Sequence, residues 1–188
     1  MAELVEGQPR LDPDTLFDGL PNDLWGALVL QVIGQQLSLA SAAAILARLE
    51  ALRGGRMPTP GEVLAIDDDT LRGIGLSYAK AGYLHDLAAR LQDGRLDLDR
   101  LRALDDEAAR AALTEVKGVG RFTADGALML ALRRPDVWPA ADLALRRAVE
   151  RIWGLDPPAS VEQVDALGER FRPWRTLAAA YLYSSAEP

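Results

Sequence analysis

Eight consecutive residues, Lys117-Gly118-Val119-Gly120-Arg121-Phe122-Thr123-Ala124, and an aspartate twenty positions after Phe122, Asp142, are the part of this chain best suited to chemistry. Two glycines flank one apolar residue, with helix-like apolar spacing before them at 108–116 and after them at 122–132. That pattern predicts a tight helix-to-helix turn. Glycine there supplies positive φ and lets another backbone approach closely. The first-turn amides of the second helix have no intrahelical acceptor, so they point outward and suit a phosphate oxygen. Asp142 follows Pro139-Ala140-Ala141 and opens another helix. Its carboxylate either acts beside a backbone bound at the turn or is an ordinary N-cap.

The elements that must position these residues all read as helical. Apolar side chains recur at three- and four-residue spacing over 24–36 and 39–52. A Gly/Pro loop at 54–60 precedes short helices at 60–65 and 69–73, and a longer amphipathic helix spans 78–91. Helices at 97–103 and 105–116 open on acids, which suit a helix N-terminus. After 122–132, Arg134-Pro135 breaks the pattern and Val137-Trp138-Pro139 forms an extended link. Helices follow at 142–153, 161–171 behind a Ser160 cap, and 174–183. No strand alternation, low-complexity tract or repeat is visible.

The Gly hairpin and trailing Asp142 resemble the helix-hairpin-helix (HhH-GPD) base-excision DNA glycosylases, most nearly the 3-methyladenine DNA glycosylase II branch. The resemblance extends over 24–184 through Val32-Ile33-Gly34-Gln35-Gln36-Leu37-Ser38, the segment Leu71 to Ala81, and Pro173-Trp174-Arg175. It implies an all-α fold of two helical lobes with an interlobe substrate cleft. The central lobe would span about 37–135, and the N- and C-terminal helices would form the other. Residues 1–23 would be an N-terminal segment packing on the terminal-helix lobe, without the β-rich domain of longer members. The implied activity is monofunctional excision of alkylated purines from double-stranded DNA, with the damaged nucleotide flipped out of the stack. Asp142 would be catalytic, stabilising positive charge on the sugar as the base departs. Members that also cut the backbone carry a Lys at the position of Phe122, so no lyase step is expected here.

The base pocket would draw on Phe122, Gln35, Trp25, Tyr181, Tyr183, Leu143 and Gly126. Tyr183 stands where the branch often has Trp, and Gly126 and Leu143 where it can have Tyr, so the pocket would be less aromatic and more open. DNA contacts would come from Gly118, Val119, Gly120, Arg121 and Thr123 at the hairpin, and from Gln36 and Leu37 at a break facing the cleft, where Leu37 could be a wedge. For each aromatic, core packing is the plain alternative. For the glutamines it is a helix end with solvated amides. The resemblance further implies main-chain carbonyls of Thr114, Val116 and Val119 around a structural Na+ or K+, with no cofactor required.

Composition sets limits on these readings. A net charge of −7 opposes a broad nucleic-acid surface. Between 117 and 153, however, seven basic residues face four acidic ones, so modest, salt-sensitive affinity is expected. The chain has no cysteine, which excludes disulfides, thiolate metal sites and iron–sulfur clusters. The lone histidine, His85, reads as structural, and Asp67-Asp68-Asp69 as a solvated cap without EF-hand spacing. No membrane span or signal peptide is read, so a cytoplasmic, DNA-associated monomer is expected. Competing readings are a glycosylase for another lesion, a non-catalytic DNA-binding module, and a helical interaction domain.

Overall fold

Side-chain caps decide where the helices begin. The computed structural model describes Leu11 and residues 19–185, and among these every regular element is helical. Asp23 caps α1 (Leu24–Gly34) and Ser38 caps α2 (Leu39–Ala51). Thr59 and Glu62 form a reciprocal capping box at α3 (Pro60–Leu64), and Asp67 caps α4 (Asp68–Gly73). Ser77 caps α5 (Tyr78–Gln92), Asp97 caps α6 (Leu98–Ala103) and Asp105 caps α7 (Asp106–Thr114). In each, a side-chain oxygen accepts an amide proton of the first turn that has no intrahelical acceptor. In this part of the chain α8 (Arg121–Gly126) differs: its N-cap is Gly120 and its amides receive no side-chain cap. The expected continuous helix over 122–132 is instead α-helical to Gly126 and π-helical over Ala127–Ala131.

The chain divides into two units, 21–132 and, among the described residues, Leu11, 19–20 and 133–185. The first unit begins earlier than the expected 37, because α1 belongs to it. Nine of the eleven α1 residues are buried, and α1 packs on α2, α5, α8 and the π-helical turn. A helix apolar on nearly all sides must be surrounded, so it sits at the centre of its unit.

The second unit contains α9 (Leu143–Trp153), capped by Asp142 and ended by Gly154 in the left-handed region, φ 63°. It continues with α10 (Val161–Gly168), a 3-10 turn Glu169–Phe171, and α11 (Arg175–Ser184). The expected 161–171 helix is thus two segments. Trp138 packs against Gly168 so closely that a Cβ there would overlap the indole. The packing expected of residues 1–23 falls mostly outside the described residues. No described helix is long and apolar enough to cross a membrane.

Candidate functional site

The hairpin is built on different uses of its two glycines. Gly118 has φ 78°, and a Cβ added there would run into the Tyr83 ring, so both backbone and space demand glycine. Gly120 has an ordinary φ of −87°, and a Cβ added there would meet nothing within 4 Å. The space beside Gly120 is open, and no side chain caps the first-turn amides of Arg121, Phe122 and Thr123. Val119 anchors the turn in the core, and its amide donates to the Val116 carbonyl at 3.0 Å. The Lys117 amide donates to Asp86 Oδ2 at 2.7 Å. Burial alone would raise the Asp86 carboxyl, but this bond and the Arg90 contact hold it below the usual range. Beneath the hairpin, Asp125 is 3% exposed and receives Arg110 Nε at 2.7 Å, which ties α8 to α7.

The break between α1 and α2 is a reverse turn. Leu37 N–H donates to the Gly34 carbonyl at 3.0 Å, Gln35 has φ −51° and ψ 124°, and Gln36 has φ 59°. These angles follow the type II pattern, in which the third residue is normally Gly or Asn. Glutamine there is strained, and such strain persists where surroundings enforce it. Lys80 Nζ does so, donating to the carbonyls of Ile33 at 2.8 Å and Gln35 at 2.6 Å. Burial pushes the Lys80 ammonium below its ordinary pKa. Gln35 Nε2 donates to the Gly118 carbonyl at 3.0 Å, linking this turn to the hairpin.

Between the turn and α8 lies a cleft of about 180 Å3 whose walls include Leu30, Gln31, Gln35, Leu37, Phe122 and Thr123. A 150 Å3 apolar cavity already accepts benzene, so this one admits a single heterocycle edge-on or in part. Phe122 is 52% exposed and Leu37 41%, so neither is a core residue. Gln36 is exposed beside them, as is Arg121. Trp25, by contrast, does not line the cleft: it is 8% exposed and its indole Nε1 donates to the Pro58 carbonyl at 2.7 Å. A buried indole needs such an acceptor, and this one fixes it in the core.

In the second unit Asp142 sits at the N-terminus of α9, partly buried. Its Oδ1 accepts the Leu145 amide at 2.7 Å, and Oδ2 has no hydrogen-bond partner among the described residues. The link leading to it is fixed at several points. The Thr176 hydroxyl donates to the Arg134 carbonyl at 2.6 Å and accepts the Val137 amide at 3.1 Å. Arg175 Nε and Nη2 bond the Asp136 carboxylate at 2.7 and 3.1 Å. Burial works against the Asp136 charge, but Arg175 and Arg172 outweigh it and hold the carboxyl below the usual range. Trp138 Nε1 donates to the Val164 carbonyl at 2.9 Å, and the Asp142 amide to the Pro139 carbonyl at 2.8 Å. Leu143, next to Asp142, is 55% exposed. Tyr181 is 3% exposed with its hydroxyl accepting the Leu11 amide at 2.8 Å, so it is a packing residue with no face open to a base. Tyr183 lies two residues on, half-buried.

Residue types alone did not reveal Gln31, Lys80, Tyr83, Asp86 or the Asp136–Arg175 pair. The available signals were one polar side chain in an otherwise apolar helix, for Gln31, and one of only two lysines in the chain, for Lys80.

A family model described as HhH-GPD superfamily base excision DNA repair protein matches residues 29–173. DNA-3-methyladenine glycosylase 1 of Schizosaccharomyces pombe is 32% identical over 162 residues, which cover 85% of this chain and 71% of that protein. DNA-3-methyladenine glycosylase 2 of Escherichia coli is 29% identical over 164 residues, 82% of this chain and 55% of that protein. The chain spans 61% of the length of a further relative from Bacillus subtilis. Among solved structures, the Schizosaccharomyces pombe 3-methyladenine DNA glycosylase Mag1 in complex with abasic DNA matches with a TM-score of 0.85 and 29% identity, covering 98% of this chain and 88% of that one.

Proposed function

Because the chain belongs to the HhH-GPD superfamily of base excision DNA repair proteins, we propose that it is a monofunctional, monomeric DNA glycosylase for alkylated purines. It hydrolyses the N-glycosidic bond of 3-methyladenine- and 7-methylguanine-type bases in duplex DNA. The observation that carries this reading is the Asp142 carboxylate, held by one oxygen in a helix cap with the other unengaged among the described residues. The names of the Schizosaccharomyces pombe and Escherichia coli relatives supply the substrate class.

Methylation at N3 or N7 makes the purine cationic. As the C1′–N bond breaks, its electron pair leaves with the base and neutralises it, while positive charge builds on the sugar. The Asp142 carboxylate stabilises that charge and orients a water molecule. Water adds hydroxide to C1′, its remaining proton passes to the carboxylate or solvent, and an abasic site remains. A good leaving group lowers the demand for a general acid, which fits a single carboxylate. No lysine stands at Phe122 to attack C1′, so no Schiff base forms and no backbone cleavage follows. The Phe122 cleft takes the extruded base, and the amides after Gly120 hold a DNA phosphate. Phosphate binding through backbone amides also reconciles DNA binding with a net charge of −7.

The carbonyls of Thr114, Val116 and Val119 offer neutral hard oxygens of the kind a Na+ or K+ ion takes. Among the described residues, no amide outside the helices bonds the Thr114 or Val119 carbonyl, and Val116 keeps one lone pair beyond its bond to Val119. An ion there would add positive charge beside the phosphate. No cofactor enters the chemistry.

The test is base release from a methylated duplex by the wild type and by Asp142→Asn. Asparagine keeps the cap to Leu145, so the fold is retained while release drops at least about a hundredfold. Equal release by both proteins would remove Asp142 from the mechanism. Duplex binding without release by the wild type would leave a binding module.

A further inference from the structure

We propose that the side-chain amide of Gln31 determines base specificity, reading the hydrogen-bonding edge of an adenine-type base in the Phe122 cleft. This rests on the glycosylase reading above. Gln31 is the one polar side chain in α1, whose other residues are nearly all buried and apolar. No described residue hydrogen-bonds its carboxamide, yet the side chain is only partly exposed and lines the cleft. A carboxamide carries two donors and two acceptor lone pairs that must be met by water or by a ligand.

The reason the amide lies there is found on α8. Gly126 follows Phe122 by four residues, so the two share a helix face. A Cβ at Gly126 would come within 2.6 Å of Gln31 Oε1. The amide therefore occupies the volume that any larger residue at 126 would claim. In place of an aromatic wall beside Phe122, this cleft has a hydrogen-bonding one. Gln35 cannot play the same part fully, because its Nε2 is committed to the Gly118 carbonyl.

An amide matches a base edge that offers a donor next to an acceptor. Glutamine pairs bidentately with adenine for this reason, its oxygen accepting from the exocyclic amine and its NH2 donating to a ring nitrogen. 3-Methyladenine offers such an edge. 7-Methylguanine has its N7 acceptor blocked and presents the reverse order, an acceptor carbonyl at C6 beside a ring N–H donor, which the amide meets only by turning its oxygen and NH2 end for end. Stacking on Phe122 serves both bases alike, so discrimination between them falls to the Gln31 amide.

The experiment measures single-turnover release of 3-methyladenine and 7-methylguanine from one methylated duplex, for the wild type, Gln31→Leu and Gln31→Met, with melting temperatures alongside. Both variants keep the volume and remove the amide. The expected result is a fall in the 3-methyladenine to 7-methylguanine rate ratio of about tenfold or more in both variants. An unchanged ratio, whether the two rates hold or fall together, overturns the inference and leaves the glycosylase reading intact. Release of neither base by the wild type overturns that reading and the inference with it.

Discussion

Replacing Arg110 with Met should destabilise the hairpin by an amount that depends on pH. Arg110 and Asp125 are 14% and 4% exposed at their side chains and bond at 2.7 Å across the turn. Removing the cation leaves a buried carboxylate with only the exposed Arg121 Nε at 4.0 Å, which costs up to about 3–5 kcal/mol. For a chain of this size that is a fall in melting temperature on the order of 6–20 °C. Burial pushes the Asp125 carboxyl above the usual carboxylate range, and Arg110 pulls it back without cancelling the shift. A carboxyl with a raised folded-state pKa binds its proton more tightly when folded. Its contribution to stability is full below the unfolded value and is lost as pH rises through the folded one. In Arg110→Met the larger opposing pull is gone, leaving only that of Arg121, and the shift grows, so the deficit against wild type should narrow between pH 7 and about pH 5. Replacing both partners, as Arg110→Met with Asp125→Leu, should recover most of the loss at pH 7, since a well-packed apolar pair is near neutral against a buried ion pair. Thermal melts of the three proteins at both pH values check this. An Arg110→Met variant that melts with the wild type, or whose deficit is the same at both pH values, refutes the reasoning.

The two hairpin glycines should separate fold from function. Gly118→Ala is expected to lose more than about 1 kcal/mol of stability, because φ is 78° and the Tyr83 ring blocks the Cβ. Gly120→Ala should melt as the wild type yet bind duplex DNA more weakly in a fluorescence-anisotropy titration, because its open space is where a phosphate would lie. Lys80→Met removes two charge-assisted bonds to the α1 terminus and should cost about 1.5–3 kcal/mol by denaturant titration. Faster hydrogen exchange at Gln36 and Leu37 in that variant would locate the loss at the strained turn.

Signals that are local in sequence carried over well into structure. Asp97, Asp105, Asp142 and Ser160 each cap the helix that follows, because a cap needs only its own residue and an amide two or three positions on. The hairpin and Asp142 were legible for the same reason. Ala127-Leu128-Met129-Leu130-Ala131 gave no hint of its π-helical path, since the same apolar spacing serves an α-helix. Grouping of α1 with the central helices depends on what surrounds it, and its pattern alone shows only that it is buried.

Within the site, what sequence left open was decided by partners far away along the chain. Trp25 and Phe122 are both aromatics near the expected pocket, and nothing local tells them apart. A carbonyl thirty-three residues away fixes Trp25 in the core, whereas Phe122 stays half-exposed at the start of a helix without a cap. Gln35 and Gln36 are neighbours of one type, yet one donates to the hairpin and the other takes the strained, outward position. That asymmetry exists because Lys80, from a third helix, holds carbonyls on the turn. The turn and the hairpin are therefore one bonded assembly: Lys80 fixes Gln35, Gln35 holds Gly118, and Gly118 admits the Tyr83 ring beneath it. Gln35, proposed for the base pocket, and the hairpin, proposed to hold a phosphate, are then coupled through protein bonds alone. Weakening either end should loosen the other.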